Sequence, residues 1–184
     1  MTTDEEETAV RQGGRRVSIE KMLAPVVPLR GRQKRKEDPL LTVYRVQLVE
    51  ERRIAVPRLR VRTSAHAAQV AWRYLDRPDR EHFVVLLLDL RHNLLGIHTA
   101  AVGCIDEVRV SPRAVFKAAL LRNAEGVVLA HNHVSGPVVP SPADRKLTRE
   151  LARAGNALQV CVHDHVILGR SARERFSFLE NGLL

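Results

Sequence analysis

Two histidines one residue apart, His131 and His133, stand at the end of an apolar run in the stretch LAHNHVSGPVVPSPAD. Side chains at positions i and i+2 of a β-strand project to the same face. A strand over this run would therefore direct both imidazoles to one side and Asn132 to the other. Two neutral imidazoles side by side can bind one cation, whereas two protonated ones repel each other. The pair is a candidate for metal binding.

Seven residues with one glycine and two prolines separate this pair from Ser141 and Asp144. Ser141 followed by proline predicts a helix N-cap, and Asp144 falls in the first turn. There its carboxylate either interacts with free backbone N–H groups or serves as a third metal ligand. Three nitrogen and oxygen ligands, with a fourth position open for water, are typical of catalytic zinc, which lowers the pKa of its water to roughly 7. The spacing alone leaves both alternatives open.

A hydrolytic zinc site also needs a carboxylate that moves a proton from the water to the leaving amine. Glu81 stands at the entrance of the apolar run HFVVLLLDL, where partial desolvation would raise the pKa of a carboxylate. The spacing does not select among the acidic candidates, which are Glu81, Asp89, Asp106, Glu107 and Glu125.

The elements that must position these residues alternate between strands and helices. The apolar run at residues 82–90 predicts a strand that is covered on both faces, the turn at residues 91–93 predicts a hairpin, and residues 126–133 predict a further strand. Hydroxyl residues at Thr63, Ser111 and Ser141 predict three helix starts, and Gly155 is expected to end the last helix. The segments ALQVCVHD and HVILG predict two short closing strands. We therefore expect an α/β fold, a mixed sheet flanked by helices.

The N-terminal part of the chain has a different composition. Residues 1–38 carry charge blocks and prolines and are expected to be disordered, with one domain over residues 39–184. LTVYRVQLV alternates like a strand, and residues 52–62 predict a second extended stretch. Much of the net charge of +9 lies in RGRQKRK, from Arg30 to Lys36. This run predicts a solvated tail, and the alternative is a weak contact with nucleic-acid phosphates.

Composition further limits the class of protein. The polar, acidic start MTTDEEETAV predicts no secretory signal, and no apolar run approaches the roughly 20 residues that span a bilayer. We therefore expect a soluble, cytoplasmic protein without membrane contact. Cys104 and Cys161 are too few for a disulfide framework and are expected to be small buried thiols, with one bridge or a metal role as the alternative.

The residues His131, His133, Ser141 and Asp144 reproduce the pattern H-x-H-x7-S-x2-D, which resembles the signature of the JAMM (JAB/MPN) metalloproteins. Further blocks over residues 64–184 resemble the RadC branch of that group, among them EHFVVLLLDLRHNLLG, VHDHVILG and FSFLENGLL. The resemblance implies a JAB/MPN-type, cytidine-deaminase-like α/β fold.

It also implies one zinc ion per chain, with His131, His133 and Asp144 as ligands. Ser141 would hold the catalytic water or the oxyanion, and Glu81 would be the general acid and base. The implied reaction is hydrolysis of a peptide or isopeptide amide bond in a protein or peptide substrate. The alternatives are a DNA-associated accessory protein, related to DNA repair, and a scaffold without catalysis.

This chain departs from the pattern of that family in two places. Val134 stands where the family has proline, and Pro137, Val138 and Val139 replace polar loop residues. The helix-hairpin-helix region of longer RadC proteins has no counterpart here, which weakens a DNA-related role.

Two further features have competing interpretations. His163 and His165 superficially offer a second metal pair, but a structural or supporting role is favoured. Trp72 is expected in the core rather than as a ligand platform. The sequence names neither the substrate nor the oligomeric state.

Overall fold

A computed structural model describes strands at residues 9–12 and 15–18 and residues 40–184, except residues 77, 104–109 and 135. In the first compact unit, residues 1–44, strands β1 (Ala9–Gln12) and β2 (Arg15–Ser18) pair antiparallel. This corrects the expectation of disorder at those strands. Gly-Gly, which separates them in the sequence, is favoured in short hairpin connections. The basic run from Arg30 to Lys36 lies outside the described residues, so its contact with nucleic acid and the domain boundary near residue 38 stay predictions.

The second unit, residues 45–184, contains a five-stranded sheet. Its strands are β3 (His82–Leu88), β4 (Leu94–Val102), β5 (Gly126–Asn132), β6 (Cys161–Leu168) and β7 (Arg175–Ser177). Their spatial order is β4-β3-β5-β6-β7. Neighbouring strands β5 and β6 are parallel, and all other pairs in this sheet are antiparallel, which confirms the prediction of a mixed sheet.

Three helices begin at the predicted hydroxyl residues. They are α1 (Ser64–Leu75), α2 (Pro112–Arg122) and α3 (Pro142–Ala157). The side chains of Thr63, Ser111 and Ser141 each accept a hydrogen bond from a backbone N–H of the first turn. These N-caps satisfy donors that have no partner inside the helix, which is why the sequence signal was reliable.

The helices cover both faces of the sheet. Helix α1 packs against Val84, Leu86, Val128 and Ala130 on one face. Helices α2 and α3 pack on the other face, against side chains that alternate with those, such as Val85 and Leu129. Because residues 83–88 of β3 and 127–130 of β5 alternate between the two cores, these segments read as continuous apolar runs.

Two predictions about the end of the domain were wrong. Gly155 does not end α3, which continues to Ala157. A Cβ at Gly155 would lie 2.5 Å from the carbonyl oxygen of Val160, so this position needs a small residue for close packing. Residues of both predicted closing strands lie in the single strand β6. A β-bulge at His163 accommodates the polar residues in the middle of this strand.

Two predictions upstream and one about a cysteine also need correction. The segment LTVYRVQLV is not a strand, and Val46 and Val49 are 70% and 80% exposed. No described strand pairs with it, and alternation without a pairing partner does not make a strand. In the predicted stretch 52–62, only Arg60 forms a bridge, to Asn93. Cys161 is a free, exposed thiol rather than a buried one, because it is the first residue of β6. Cys104 lies outside the described residues.

Candidate metal centre

The sheet brings the start of β3 and the end of β5 to the same edge. These strands are antiparallel, with Phe83 opposite His131 and Leu88 opposite Gly126. His131 lies near the end of β5, and His133 follows it directly. The N-terminus of α3 reaches the same edge through the loop of residues 134–140.

At this edge the structure brings together all three predicted ligands. One potential ligand atom from each of His131, His133 and Asp144 lies within 4.8 Å of the other two. Nε2 of His131 is 3.0 Å from Nε2 of His133 and 3.3 Å from Oδ1 of Asp144. His131 and Asp144 are 0% and 2% exposed, so water does not compete strongly for them.

The two carboxylate oxygens of Asp144 place it for both of the roles that its sequence position allowed. Its Oδ2 accepts hydrogen bonds from the backbone N–H and the hydroxyl of Ser141, at 2.8 Å and 2.7 Å. The backbone N–H of Asp144 donates in return to Oγ of Ser141, which completes a capping box. Its Oδ1 faces His131. One oxygen therefore caps the helix while the other is directed to the candidate metal centre.

The electrostatics of this centre favour a bound cation. Burial alone would raise the pKa of Asp144, but the nearby His133 and His131 and the hydrogen bonds from Ser141 hold it well below its usual range. The Asp144 carboxylate, which accepts a hydrogen bond from His133 only when that ring is protonated, raises the pKa of His133. Burial and the neighbouring His165 lower the pKa of His131. A carboxylate that stays ionised beside a neutral buried imidazole is a suitable donor set for a divalent metal.

The tautomer of His133 also fits a metal. Its Nδ1 lies 2.7 Å from the carbonyl oxygen of Pro137. A carbonyl oxygen only accepts, so Nδ1 carries the hydrogen and the neutral ring has its lone pair on Nε2. That lone pair faces His131 and Asp144. The backbone carbonyl of Pro137 therefore fixes the orientation of the His133 ring within the loop of residues 134–140.

Among the acidic candidates, Glu81 lies at the same edge of the sheet. It directly precedes β3, and its charge contributes to the raised pKa of His133. Asp89 and Glu125 lie at the opposite end of the paired strands, where Asp89 accepts hydrogen bonds from Arg91 and Asn93 in the β3–β4 turn. Asp106 and Glu107 lie outside the described residues. The antiparallel register thus distinguishes Glu81 where spacing did not.

Asn132 holds the segment that carries Glu81. Its Oδ1 accepts from the backbone N–H of His82 at 2.8 Å, and its Nδ2 donates to the carbonyl oxygen of Arg80 at 3.0 Å. Asn132 is 2% exposed, so both bonds are sheltered from water. Alternation correctly directed its side chain away from the histidines, but no sequence signal indicated these two contacts, which join residues 50 or more positions apart.

Behind His131 lies a chain of buried polar groups. Nδ1 of His131 is 2.8 Å from Nε2 of His165, and Nδ1 of His165 is 2.6 Å from Oγ1 of Thr148. His163 instead packs against His92, with ring centroids 4.6 Å apart. The favoured supporting role of His165 is confirmed, and the two histidines do not converge on a second centre. Thr148 was not predicted, because a threonine inside a helix carries no pattern of its own.

A cavity of about 250 Å³ lies beside His133. Its lining includes Trp72, Val134 and Arg170. Trp72 packs against the apolar cluster of α1 and also lines this cavity, so the expectation that it belongs to the core holds only for part of the ring.

The fold and this centre define an α/β protein with a candidate mononuclear metal site at a sheet edge. The model of the RadC-like JAB domain matches residues 61–183, and the chain belongs to this family. In the described part of the chain, no helix is both long and apolar enough to cross a membrane. Location in the cytoplasm stays a prediction.

Relatives of known sequence share the same domain. UPF0758 protein YeeS of Escherichia coli is 44% identical over 124 residues, which are 66% of this chain and 82% of YeeS. UPF0758 protein YkfG of the same organism is 42% identical over 123 residues, covering 66% of this chain and 77% of YkfG. UPF0758 protein tlr1707 of Thermosynechococcus vestitus is 45% identical over 103 residues, 56% of this chain but 39% of that protein. The chain thus spans less than half of some relatives, and the names of these proteins state no activity.

Proposed function

We propose that this protein is a zinc-dependent metallohydrolase that cleaves a peptide or isopeptide amide bond, with one zinc ion per chain. The observation that carries the proposal is the convergence of two imidazole nitrogens and one carboxylate oxygen within 4.8 Å at a sheet edge. The position of Glu81 at that edge supports it. The substrate would be a peptide or a protein.

His131, His133 and Asp144 would hold the zinc ion. When bound, zinc would polarise the substrate carbonyl and lower the pKa of a water molecule. Glu81 would accept a proton from the attacking water and deliver it to the amide nitrogen as the C–N bond breaks. The products are a carboxylic acid and an amine, so no further reactant is needed.

Ser141 would stabilise the oxyanion or the attacking water. In the structure its single hydroxyl proton is donated to Oδ2 of Asp144. The hydroxyl would therefore have to rotate from this acceptor to donate to substrate. The backbone N–H of Ser141 also donates to the same oxygen, so Asp144 would keep a partner during this exchange.

The test combines metal analysis with a cleavage assay. Purified full-length protein would be loaded with zinc, and a random peptide library and isopeptide-linked peptides would be searched by mass spectrometry for new termini. We expect about one zinc per chain and cleavage that stops on chelation and returns with zinc. Asp144→Asn keeps a helix-capping side chain but removes the charge, and we expect it to lose both properties. Zinc binding without any cleavage would instead favour a scaffold.

A further inference from the structure

The buried contacts behind His131 determine which of its two nitrogens can bind a metal. His131 is fully buried, and each neutral imidazole carries one hydrogen on either Nδ1 or Nε2. Only the nitrogen without the hydrogen can be a ligand. Since Nε2 faces His133 and Asp144, the site requires the tautomer that has its hydrogen on Nδ1.

The hydroxyl of Thr148 sets the direction of the chain of hydrogen bonds. Its Oγ1 lies 2.6 Å from the carbonyl oxygen of Asp144 and 2.6 Å from Nδ1 of His165. The carbonyl oxygen only accepts, so a hydrogen bond at the first contact uses the single hydroxyl proton. Oγ1 must then accept at the second contact, which requires a hydrogen on Nδ1 of His165.

The same logic passes through His165 to His131. With its hydrogen on Nδ1, neutral His165 has a lone pair on Nε2, and Nδ1 of His131 lies 2.8 Å from that atom. A hydrogen bond there requires a hydrogen on Nδ1 of His131, which leaves the Nε2 lone pair free. Each of these three contacts then contains one hydrogen. The Nε2 lone pair of His131 faces Nε2 of His133 at 3.0 Å and Oδ1 of Asp144 at 3.3 Å, where a bound cation would take the place of a hydrogen.

The reversed direction would place a hydrogen on Nε2 of His131, toward Oδ1 of Asp144 at 3.3 Å, but it leaves the shorter contact at Thr148 without one. If Thr148 donated to His165, two oxygen lone pairs would face each other across 2.6 Å in a fully buried position. Two acceptor oxygens at this distance repel each other, and no water reaches them to separate the two groups. Phe178 stacks on the His165 ring at 4.9 Å between centroids, and Phe83 stacks on the His131 ring at 5.9 Å, which holds both rings in place.

We propose that Thr148 and His165 are positioning residues that form a directional hydrogen-bond relay and fix His131 as an Nε2 metal ligand. The relay begins at the carbonyl oxygen of Asp144, itself a candidate ligand. Two ligands are thereby coupled through groups that never touch the metal. This inference rests on the metal site of the proposed function but not on hydrolysis.

The direct test is the tautomer of His131 in metal-free protein. Nitrogen-15 NMR of the full chain, at a pH where the buried imidazoles are neutral, distinguishes protonated from unprotonated ring nitrogens. We expect protonated Nδ1 and unprotonated Nε2 for both His131 and His165. The opposite assignment in the wild-type protein would overturn the proposal, whether or not zinc binds and whether or not any peptide is cleaved.

A matched pair of variants tests the role of the hydroxyl. Thr148→Val keeps the shape but removes the hydroxyl, and Thr148→Ser keeps the hydroxyl. Competition for zinc against a chromophoric chelator should show about 10- to 100-fold weaker binding for Thr148→Val, the usual effect of losing a partner behind a ligand. Thr148→Ser should restore affinity to within about threefold of wild type.

The spectrum of Thr148→Val should show the tautomer of His131 with its hydrogen on Nε2, since without the hydroxyl the Asp144 carboxylate, 3.3 Å from Nε2, sets the direction. Weak zinc binding with an unchanged tautomer would mean a packing defect and would contradict the relay. If Thr148→Val does not fold, the wild-type tautomer and the Thr148→Ser comparison still decide the question.

Discussion

Two His-x-His pairs lie in neighbouring parallel segments, one at the end of β5 and one within β6, but only the pair at the end of β5 forms a candidate metal centre. His131 and His133 meet at the end of their strand, where Asp144 completes the group. The rings of His163 and His165 have separate surroundings, with His163 against His92 and His165 against His131. The same His-x-His spacing therefore gives a candidate metal centre in one case and two separate histidine contacts in the other.

The register of the two strands explains part of the difference. His131 lies opposite Ile167, and His165 lies opposite Leu129. His165, the outer residue of the second pair, is thus two residues deeper in the sheet than His131, the inner residue of the first pair. His165 has no access to the edge, but it can reach the inner nitrogen of His131.

An irregular register within β6 explains why His163 and His165 have different surroundings. Val127 lies opposite Val162 and Val128 opposite Asp164, so His163 is the extra residue of a bulge. A bulge breaks the strict alternation of side chains. A co-facial pair therefore needs an uninterrupted ladder and a position at the end of the strand, in addition to the spacing.

The largest effect should come from removing His133 of the first pair, with the removal of His163 from the second pair as the control. We expect His133→Gln to reduce bound zinc from about one per chain to about none, because two remaining ligands rarely retain zinc. His163→Gln is the matched control, since His163 is also partly buried, and should bind as wild type does. Metal analysis after gel filtration measures both. Equal losses of bound zinc in the two variants would contradict the proposed difference between the two histidine pairs.

The next effect concerns Glu81, which shares the sheet edge with the first pair alone. Glu81→Gln should lower the rate of peptide cleavage by about 10²- to 10⁴-fold, the usual contribution of a general acid or base. Zinc stoichiometry should not change, because the carboxylate is not a proposed ligand. Kinetics on a cleaved library peptide measure this, with Glu125→Gln at the opposite end of the strands as control. Retained cleavage would refute the assignment of Glu81.

A smaller effect is expected for Asn132, which lies between the two histidines of the first pair. Asn132→Ala removes both bonds to the segment around Glu81, and we expect about 10- to 100-fold slower cleavage from misplacement of the carboxylate. Zinc affinity should stay within about threefold of wild type. Asn132→Asp keeps the acceptor for His82 but loses the donor to Arg80, so its rate should be intermediate. Equal losses of zinc affinity and cleavage rate would mean that Asn132 positions the metal ligands as well as the segment around Glu81.

The smallest effect concerns pH and distinguishes His163 from His165. Burial lowers the pKa of His165 from 6.5 to about 4. Between these values the unfolded chain binds a proton that folded His165 does not, so the free energy of unfolding decreases as the pH falls from 6.5 to 4. The contribution is at most about 3 kcal/mol.

Denaturant unfolding of metal-free protein at several pH values measures this. Burial lowers the pKa of His131 as well, and burial raises that of Asp164, which acts in the opposite direction. The prediction therefore concerns the difference between variants. His165→Gln should flatten the pH dependence clearly more than His163→Gln, whose partly buried ring is also shifted downwards by burial. Equal flattening would contradict the difference in burial.

Local signals predicted much of the fold. Ser-Pro pairs predicted the starts of α2 and α3, because a capping hydroxyl and a proline act within one turn. Strand β3 was predicted by its continuous apolar run. The failures share one cause, which is dependence on distant residues. LTVYRVQLV has no pairing strand among the residues that the structure describes, and the requirement at Gly155 comes from Val160 packing against it.

The sequence by itself determined the candidate ligands His131, His133 and Asp144, since strand alternation and helix capping are local rules that spacing can express. Only the tertiary structure decided what surrounds them. The antiparallel register of β3 and β5 brought Glu81 to the sheet edge that carries the candidate ligands. Asn132 fixed the segment around Glu81 through hydrogen bonds, and the register of β6 placed His165 behind His131. These contacts join strands and helices far apart in the chain, and their geometry depends on register, which a single sequence does not encode locally.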